Sequence, residues 1–435
     1  MDTTANLFMV GIIIILGLLA QYNFKKTKIP DVLILIAAGA IFSHLGLVEG
    51  IKTGSSQMTF LIVFSLIYVV FYGALPIKLR ALLSTMNYAF IASILNFILI
   101  TSILGAAAHY FLGFGWIAAL SLGALFCVLD GSVINSILDT IKLSPKAEAE
   151  IQTESAIIDI LVIVGILSIM NFSTMSFAQI TQSLTSYLFL SLGIGIVIAM
   201  IWAFVLKHMG DYSSAPIATM ALLVTLYAFA EYVNANGVIT IFVFSIMLGN
   251  VTIWSRLLYK EQKESVSLMK LETKHFFKDI SFLIRTFLFV YLGILVDFSQ
   301  WTYLLYGTVF FIIAYITRTV VRRIVKNGEM TKKDIYILDA MCAKGLTPTV
   351  MLSVVGANIA FTETANLAIF TNIVVGGIFS SILVSSILVL LIDRDKFTSL
   401  NELITGVIEK YRQHRKKNKN ETSKTYKPEE PNIQL

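Results

Sequence analysis

The stretch Thr-Glu-Ser-Ala-Ile-Ile-Asp-Ile, residues 153–160, sets two carboxylates and a hydroxyl in a run of otherwise apolar side chains. On a helix, Ser155 and Asp159 stand four residues apart and share a face. Glu154, five residues before Asp159, points well away from it, so the two acids do different jobs. A charge at membrane depth is costly and faces a cavity or a partner. Asp159 is assigned to a cavity and Glu154 to a partner. Arg318, in Tyr-Ile-Thr-Arg-Thr-Val-Val, is the first choice of partner, and Lys344 is the second. The plainer alternative leaves Glu154 in water at a helix end, near Lys146 and Glu150.

A third acid, Asp130, stands at Asp130-Gly131-Ser132 inside another apolar run. Asp130, Asp159, the Ser155 hydroxyl and carbonyls freed at a helix break would form an all-oxygen set, the kind that hard cations prefer. Desolvation favours the protonated form of a carboxylate. Such a group can hold a proton and release it when a cation arrives, which gives exchange without covalent chemistry. Other polar residues in apolar runs are read as structural: Glu231, Asn234, Asn236, Arg285, Asp297, Asp139, Asp339, His44 and His109.

The elements that must carry these groups follow from composition. The chain is 57% hydrophobic and only 14% charged, with mean hydropathy +0.80. A soluble domain has about a quarter of its residues charged, so the solvent here must be lipid. Taking roughly 20 apolar residues per span, thirteen spans are expected, at about 5–22, 30–48, 58–75, 87–111, 115–138, 151–172, 185–206, 214–233, 237–250, 279–297, 302–321, 335–358 and 364–392. The runs are too long and too uniformly apolar for barrel strands, which alternate. The first run lacks the basic flank and small-residue cleavage site of a signal peptide, so it is read as a helix that stays. Nineteen Lys and Arg fall in every second loop, against Lys52 alone in the others. The positive-inside rule then puts the amino terminus outside and the carboxyl tail in the cytoplasm. That alternation requires an odd number of spans. The +6 charge is thus a topology signal and gives no reason to expect nucleic acid. Cys127 and Cys342 both fall inside spans and are read as small apolar fillers.

Two spans are expected to be broken. Span 5 carries Asp130-Gly131-Ser132 in its middle, and span 12 carries Gly345 to Thr349, each interruption three residues after a Cys. They occupy comparable places in the two halves. Paired interrupted helices point to a transporter site near the bilayer midplane. The expected architecture is therefore all-α and polytopic, with inverted repeats and two discontinuous crossing helices, over residues 1–392. Residues 393–435 form a basic cytoplasmic tail. Its apolar positions over 398–418 have helical spacing, ahead of the basic run at 412–420. A helix on the membrane surface and a solvated tail are equally open readings.

In their order these motifs resemble the cation:proton antiporter superfamily, on its prokaryotic sodium/proton exchanger side, over about residues 5–392. Lys-Ile-Pro-Asp-Val onward (28–47) looks like the family's span-2 opening. Gly-Ala-Leu-Phe-Cys-Val-Leu-Asp-Gly looks like its Thr-Asp-Pro motif, and Thr-Glu-Ser-Ala-Ile-Ile-Asp like its Glu-Ser-x-x-Asn-Asp motif. Glu231 to Asn250 resembles its Glu-x-x-x-Ser-Gly stretch and following Gly-Asn. Phe282 to Phe298 resembles its phenylalanine-rich span, and Ala343 to Val350 its Gly-Leu-Arg-Gly motif. The resemblance implies exchange of Na⁺, Li⁺ or K⁺ for H⁺ in the plasma membrane, a role in pH homeostasis, no resident cofactor, a homodimer and an elevator-like movement of a mobile core. It makes Asp159 the ion-binding acid, with Asp130 and Ser155 as further ligands of the transported cation. Glu154 and Arg318, where electroneutral members carry Arg, become a structural ion pair. Leu129, Ile158, Lys344 and Thr347 become site-lining positions. The chain departs from the pattern: Leu129 and Gly131 flank Asp130, Ile158 precedes Asp159, Tyr72 stands where many members have Glu, and Thr347 stands where they have Arg. One carboxylate fewer at position 158 argues for one-for-one, electroneutral exchange.

Three rivals are weaker. An intramembrane aspartyl protease needs two acids sharing a proton, and its Gly-x-Gly-Asp sequence is absent, so the chain is not expected to be an enzyme. A channel needs a continuous polar pathway, where this sequence has isolated acids. A symporter of organic anions on a related inverted-repeat fold would use Arg318 and Lys344, but the acids weigh against it.

Overall fold

The structure is a computed structural model of the chain. It describes residues 3–27, 30–46, 56–75, 77, 79–138, 141, 143–171, 177–209, 214–253, 271–325, 330–356 and 366–393. The tail at 398–418, Lys52 and Asp139 lie outside the described residues.

The elements are helical: α1 (Thr3–Thr27), α2 (Asp31–His44), α3 (Ser56–Ala74), α4 (Leu79–Leu112), α5 (Trp116–Leu125), α6 (Gly131–Leu138), α7 (Pro145–Asn171), α8 (Phe177–Met209), α9 (Ala215–Tyr232), α10 (Gly237–Gly249), α11 (Leu271–Ile294), α12 (Trp301–Ile324), α13 (Lys332–Ala340), α14 (Leu346–Gly356) and α15 (Leu367–Asp393). Among the described residues, six helices are long and apolar enough to cross a membrane. They are Asn87–Leu112, Pro145–Met170, Tyr187–His208, Ala215–Tyr232, Trp301–Ile324 and Leu367–Ile392. Six shorter apolar helices accompany them: Leu7–Asn23, Asp31–His44, Val63–Ala74, Trp116–Leu125, Gly237–Gly249 and Thr347–Gly356. Large apolar side chains such as Phe189, Phe204 and Ile316 are exposed, which suits a lipid-facing surface, since lipid puts no penalty on exposed hydrocarbon.

The fifth and twelfth expected spans are each two short helices. α5 stops at Leu125, residues 126–130 are non-helical, and α6 starts at Gly131. α13 stops at Ala340, residues 341–345 are non-helical, and α14 starts at Leu346.

The chain divides into two compact units, Met1–Ser386 and Ile387–Leu435. Within the first, α4, α5, α7, α12 and α13 pack on one another, and α1, α2, α3, α8, α9, α10 and α11 form a second group. The half-helices α6 and α14 lie between them: α6 touches α7 and α3, and α14 touches α5 and α7 on one side and α3 and α11 on the other. The second group has an aromatic core, with Phe71 edge-on to Phe277 at 5.0 Å between ring centroids.

α7, which carries the acids, has a well-specified start. Pro145 holds the first helical position, where a missing N–H costs nothing. Ser144 precedes it as cap, its Oγ accepting from the Ala147 N–H at 3.3 Å.

Candidate functional site

The two breaks lie against each other. The Asp130 N–H donates to the Ala343 carbonyl at 2.9 Å. In the other direction, Lys344 Nζ donates to the Val128 carbonyl at 3.1 Å. Interrupting a buried helix frees backbone groups that need new partners, and here each break supplies partners for the other. Asp130 then caps α6: its Oδ1 accepts from the Val133 N–H at 3.1 Å, and its carbonyl accepts from the Ile134 N–H at 2.9 Å. A carboxylate at a helix N-terminus also sits at the positive end of the dipole.

Close approach fixes Gly345. A Cβ there would run into Asp130 Oδ2. Gly345→Ala is therefore expected to displace the Asp130 carboxylate. Overpacking of this kind costs about 1–3 kcal/mol, and exchange in reconstituted vesicles should fall roughly tenfold. An unchanged rate would show that the Asp130 position is immaterial.

Ser155 on α7 reaches the first break directly, its Oγ donating to the Leu129 carbonyl at 2.7 Å. The freed carbonyls expected to bind a cation are thus already engaged: Val128 by Lys344 and Leu129 by Ser155. The Leu129 and Ile158 side chains are fully buried at this junction. Asp159, one turn beyond Ser155, has Asp130 as its charged neighbour and the Thr347 hydroxyl within reach as a donor. Asp159 Oδ1 is buried and has no hydrogen-bond partner among the described residues. A buried polar atom left without a partner needs an explanation, and a bound ion or proton supplies one.

Glu154 turns away from this cluster, as helical spacing requires. It is 1% exposed and Arg318 is 3% exposed, so the water-facing alternative for Glu154 does not hold in the structure. Arg318 grips Glu154 with two donors, Nε to Oε1 at 3.3 Å and NH2 to Oε2 at 3.1 Å. Lys344, the second choice of partner, is engaged with Val128 instead, because the neighbouring break offers it a freed carbonyl.

Sequence reasoning missed the rest of this network. Arg322 NH2 also binds Glu154 Oε2, and Arg322 NH1 meets Glu150 Oε1 at 3.2 Å. Arg322 Nε lies 3.4 Å from Asp339 Oδ1. Asn96 Nδ2, from α4, reaches Glu154 Oε1 at 3.4 Å. The signal was present: Glu150 and Glu154 are four apart, and so are Arg318 and Arg322, so each pair shares a helix face. Arg318 NH1 further donates to the Leu338 carbonyl at 2.8 Å, at the carbonyl end of α13, where the dipole favours a cation.

Among the other polar residues, Arg285 pairs with Asp31 at 3.0 Å, tying α11 to α2. Glu231 Oε1 accepts from the Gly237 N–H at 2.7 Å, and Asn236 caps α10 through the Ile239 N–H at 3.0 Å. These contacts are structural. Cys127 and Cys342 are buried and free.

The family model described as "Sodium/hydrogen exchanger, transmembrane" matches residues 11–392. The chain is 20% identical over 258 residues to the K⁺/H⁺ antiporter NhaP of Alkalimonas amylolytica, covering 56% of this chain and 44% of that one. It is 32% identical over 123 residues to sodium/hydrogen exchanger 2 of Arabidopsis thaliana, covering 27% of this chain and 21% of that one. The chain therefore matches less than half the length of these curated relatives. Among solved structures, the sodium proton antiporter MjNhaP1 of Methanocaldococcus jannaschii has the same fold, with TM-score 0.76 at 18% identity over 92% of this chain and 99% of that one. With its motifs in order and the match running across nearly the whole helical part, the chain belongs to the transmembrane sodium/hydrogen exchanger family.

Proposed function

We propose that the protein is a secondary antiporter that exchanges Na⁺, Li⁺ or K⁺ for H⁺, one for one, at Asp159. The observation that carries this reading is the buried Asp159 Oδ1, without a hydrogen-bond partner among the described residues, beside the junction of two broken helices. A proton and a small cation compete for that carboxylate. Asp130 adds negative charge beside it, and the Ser155 and Thr347 hydroxyls add oxygen atoms nearby. Binding of one excludes the other, so a single carboxylate couples the two flows without a net charge movement.

Glu154 and Arg318 hold α7 to α12 and do not take part in exchange. Lys344 neutralises the carbonyl end of α5. The group containing the broken helices moves against the other group, in elevator fashion, to present Asp159 to each side in turn. The two discontinuous spans cross as members of inverted repeats within thirteen spans. The protein works as a homodimer in the plasma membrane, amino terminus outside and carboxyl tail in the cytoplasm. The relatives are named as an antiporter and an exchanger, and the reading is of a transporter and not an enzyme.

The test is proton release from acid-loaded proteoliposomes on adding Na⁺, Li⁺ or K⁺ in turn. Cation-driven release names the ion. Silence with all three, from well-inserted protein at several pH values, would raise the organic-anion symporter in its place.

A further inference from the structure

We propose that Asn250 is a positioning residue that holds an apolar seal over α7, on the basic-loop side of Asp159. The inference rests on the reading of Asp159 as the exchange carboxylate, but its test does not require transport.

The seal is a small cluster apart from the aromatic core. Ala156 of α7 packs with Ala74, at the end of α3, with Ile77 in the α3–α4 link, and with Ile246 of α10. Leu79 and Phe242 close around them. Ala156 stands three residues before Asp159, on an adjoining part of the same helix face. It joins the group that carries the broken helices to the group that does not. An apolar contact there keeps water from the carboxylate, because hydrocarbon offers water no hydrogen-bond partners.

Ile77 sits in the link between α3 and α4, where its N–H donates to the Ala74 carbonyl at 3.2 Å, and Leu79 is the first residue of α4, whose N–H is among those a helix start leaves without an intrahelical acceptor. Asn250 supplies the further contacts. Its Oδ1 accepts from the Leu79 N–H at 2.8 Å. Its Nδ2 donates to the Ile77 carbonyl at 2.7 Å and to the Ile246 carbonyl at 2.8 Å. One amide thus ties three residues of the cluster's neighbourhood together, using both of its polar atoms, and Asn250 is itself buried. The preceding Gly249 makes the approach possible, because a Cβ there would collide with the Leu75 carbonyl. Both clamped ends lead into basic loops: Lys78 and Arg80 follow Ile77, and residues 251–278 hold six Lys or Arg. The seal therefore lies on the side that the positive-inside rule makes cytoplasmic. When the moving group carries Asp159 towards that side, Ala156 must slide off Ile77. The clamp keeps Ile77 and Leu79 fixed while it does so.

The experiment uses the full chain with Ala156→Cys, labelled by a membrane-impermeant thiol reagent from the basic-loop face of inverted vesicles and read by peptide mass spectrometry. Adding Asn250→Ala should speed labelling at position 156 at least tenfold. Cys127 and Cys342, buried at the breaks, serve as internal controls and should stay unlabelled. Ile77→Ala, which thins the seal and leaves the clamp residue in place, should also speed labelling several-fold. Asn250→Ala labelling at the parent rate would overturn the proposal. So would labelling of Cys127 and Cys342 in step with position 156, since that marks general loosening. If labelling behaves as expected while no cation drives proton release in the parent protein, the exchange reading fails and the seal stands.

Discussion

Asp159→Asn is expected to abolish cation-driven proton release while leaving the protein folded. The amide is nearly the shape of the carboxylate, so packing on α7 is kept. It carries no exchangeable acidic proton and no charge to attract a cation, so both halves of the competition go together. Stability should hold or rise, because the substitution removes a carboxylate that lacks a partner on Oδ1 among the described residues. The check is paired: thermal unfolding of purified protein within a few degrees of wild type, and exchange at the level of empty vesicles. Exchange above a tenth of the wild-type rate would move the proton and cation to another group, Asp130 first.

Glu154→Gln has the opposite signature. Arg318, 3% exposed, is buried against this one carboxylate, and the half-buried Arg322 meets it as well. Removing the negative charge leaves two guanidiniums facing each other one helical turn apart on α12. Breaking a buried pair by deleting one partner costs about 3–5 kcal/mol. Arg322 keeps Glu150 and Asp339, which softens the loss on its side, whereas Arg318 falls back on the α13 carbonyls. The expected result is a steep loss of folded protein in detergent, seen as a lower unfolding temperature and aggregation on gel filtration. Protein that remains folded should still show some cation-driven release. A Glu154→Gln protein of wild-type stability but without exchange would make Glu154 part of the transport site and not a brace.

These two acids show how far the sequence could be read. Their helical spacing alone separated them and put Asp159 with Ser155, because a helix leaves little freedom about which face a residue occupies; Arg318 was the first choice of partner for Glu154 by charge, ahead of Lys344. The interruptions at Asp130-Gly131 and Gly345 were legible for the same local reason: glycine and a charge have no place in a plain span. Apart from the Glu154–Arg318 pair, what crosses between distant segments was not legible. Nothing near Lys344 in the chain says that it donates to Val128, and the pairing depends on how the two breaks lie together. Arg322 counted among the loop cations after the expected span at 302–321, yet it lies within α12 and its side chain is largely covered by Glu150, Glu154 and Asp339. Asn250 entered only as the Asn of a Gly-Asn pair resembling the family's, and only the fold brings it to Ile77 and Leu79. The departures at Leu129 and Ile158 take on a simpler meaning in the structure. Both side chains are buried apolar packing, and Leu129 contributes through its carbonyl, which any residue would supply.

The central claim is that one carboxylate holds either a proton or a cation. Its most direct test is the apparent cation KM of the wild-type protein in proteoliposomes, measured at a series of pH values. Competition for a single site predicts that, on the acid side of its titration, KM rises about tenfold for each unit that pH falls, with the maximal rate little changed. A KM that stays flat across the series while the maximal rate follows pH would contradict it, since proton and cation would then bind at separate places.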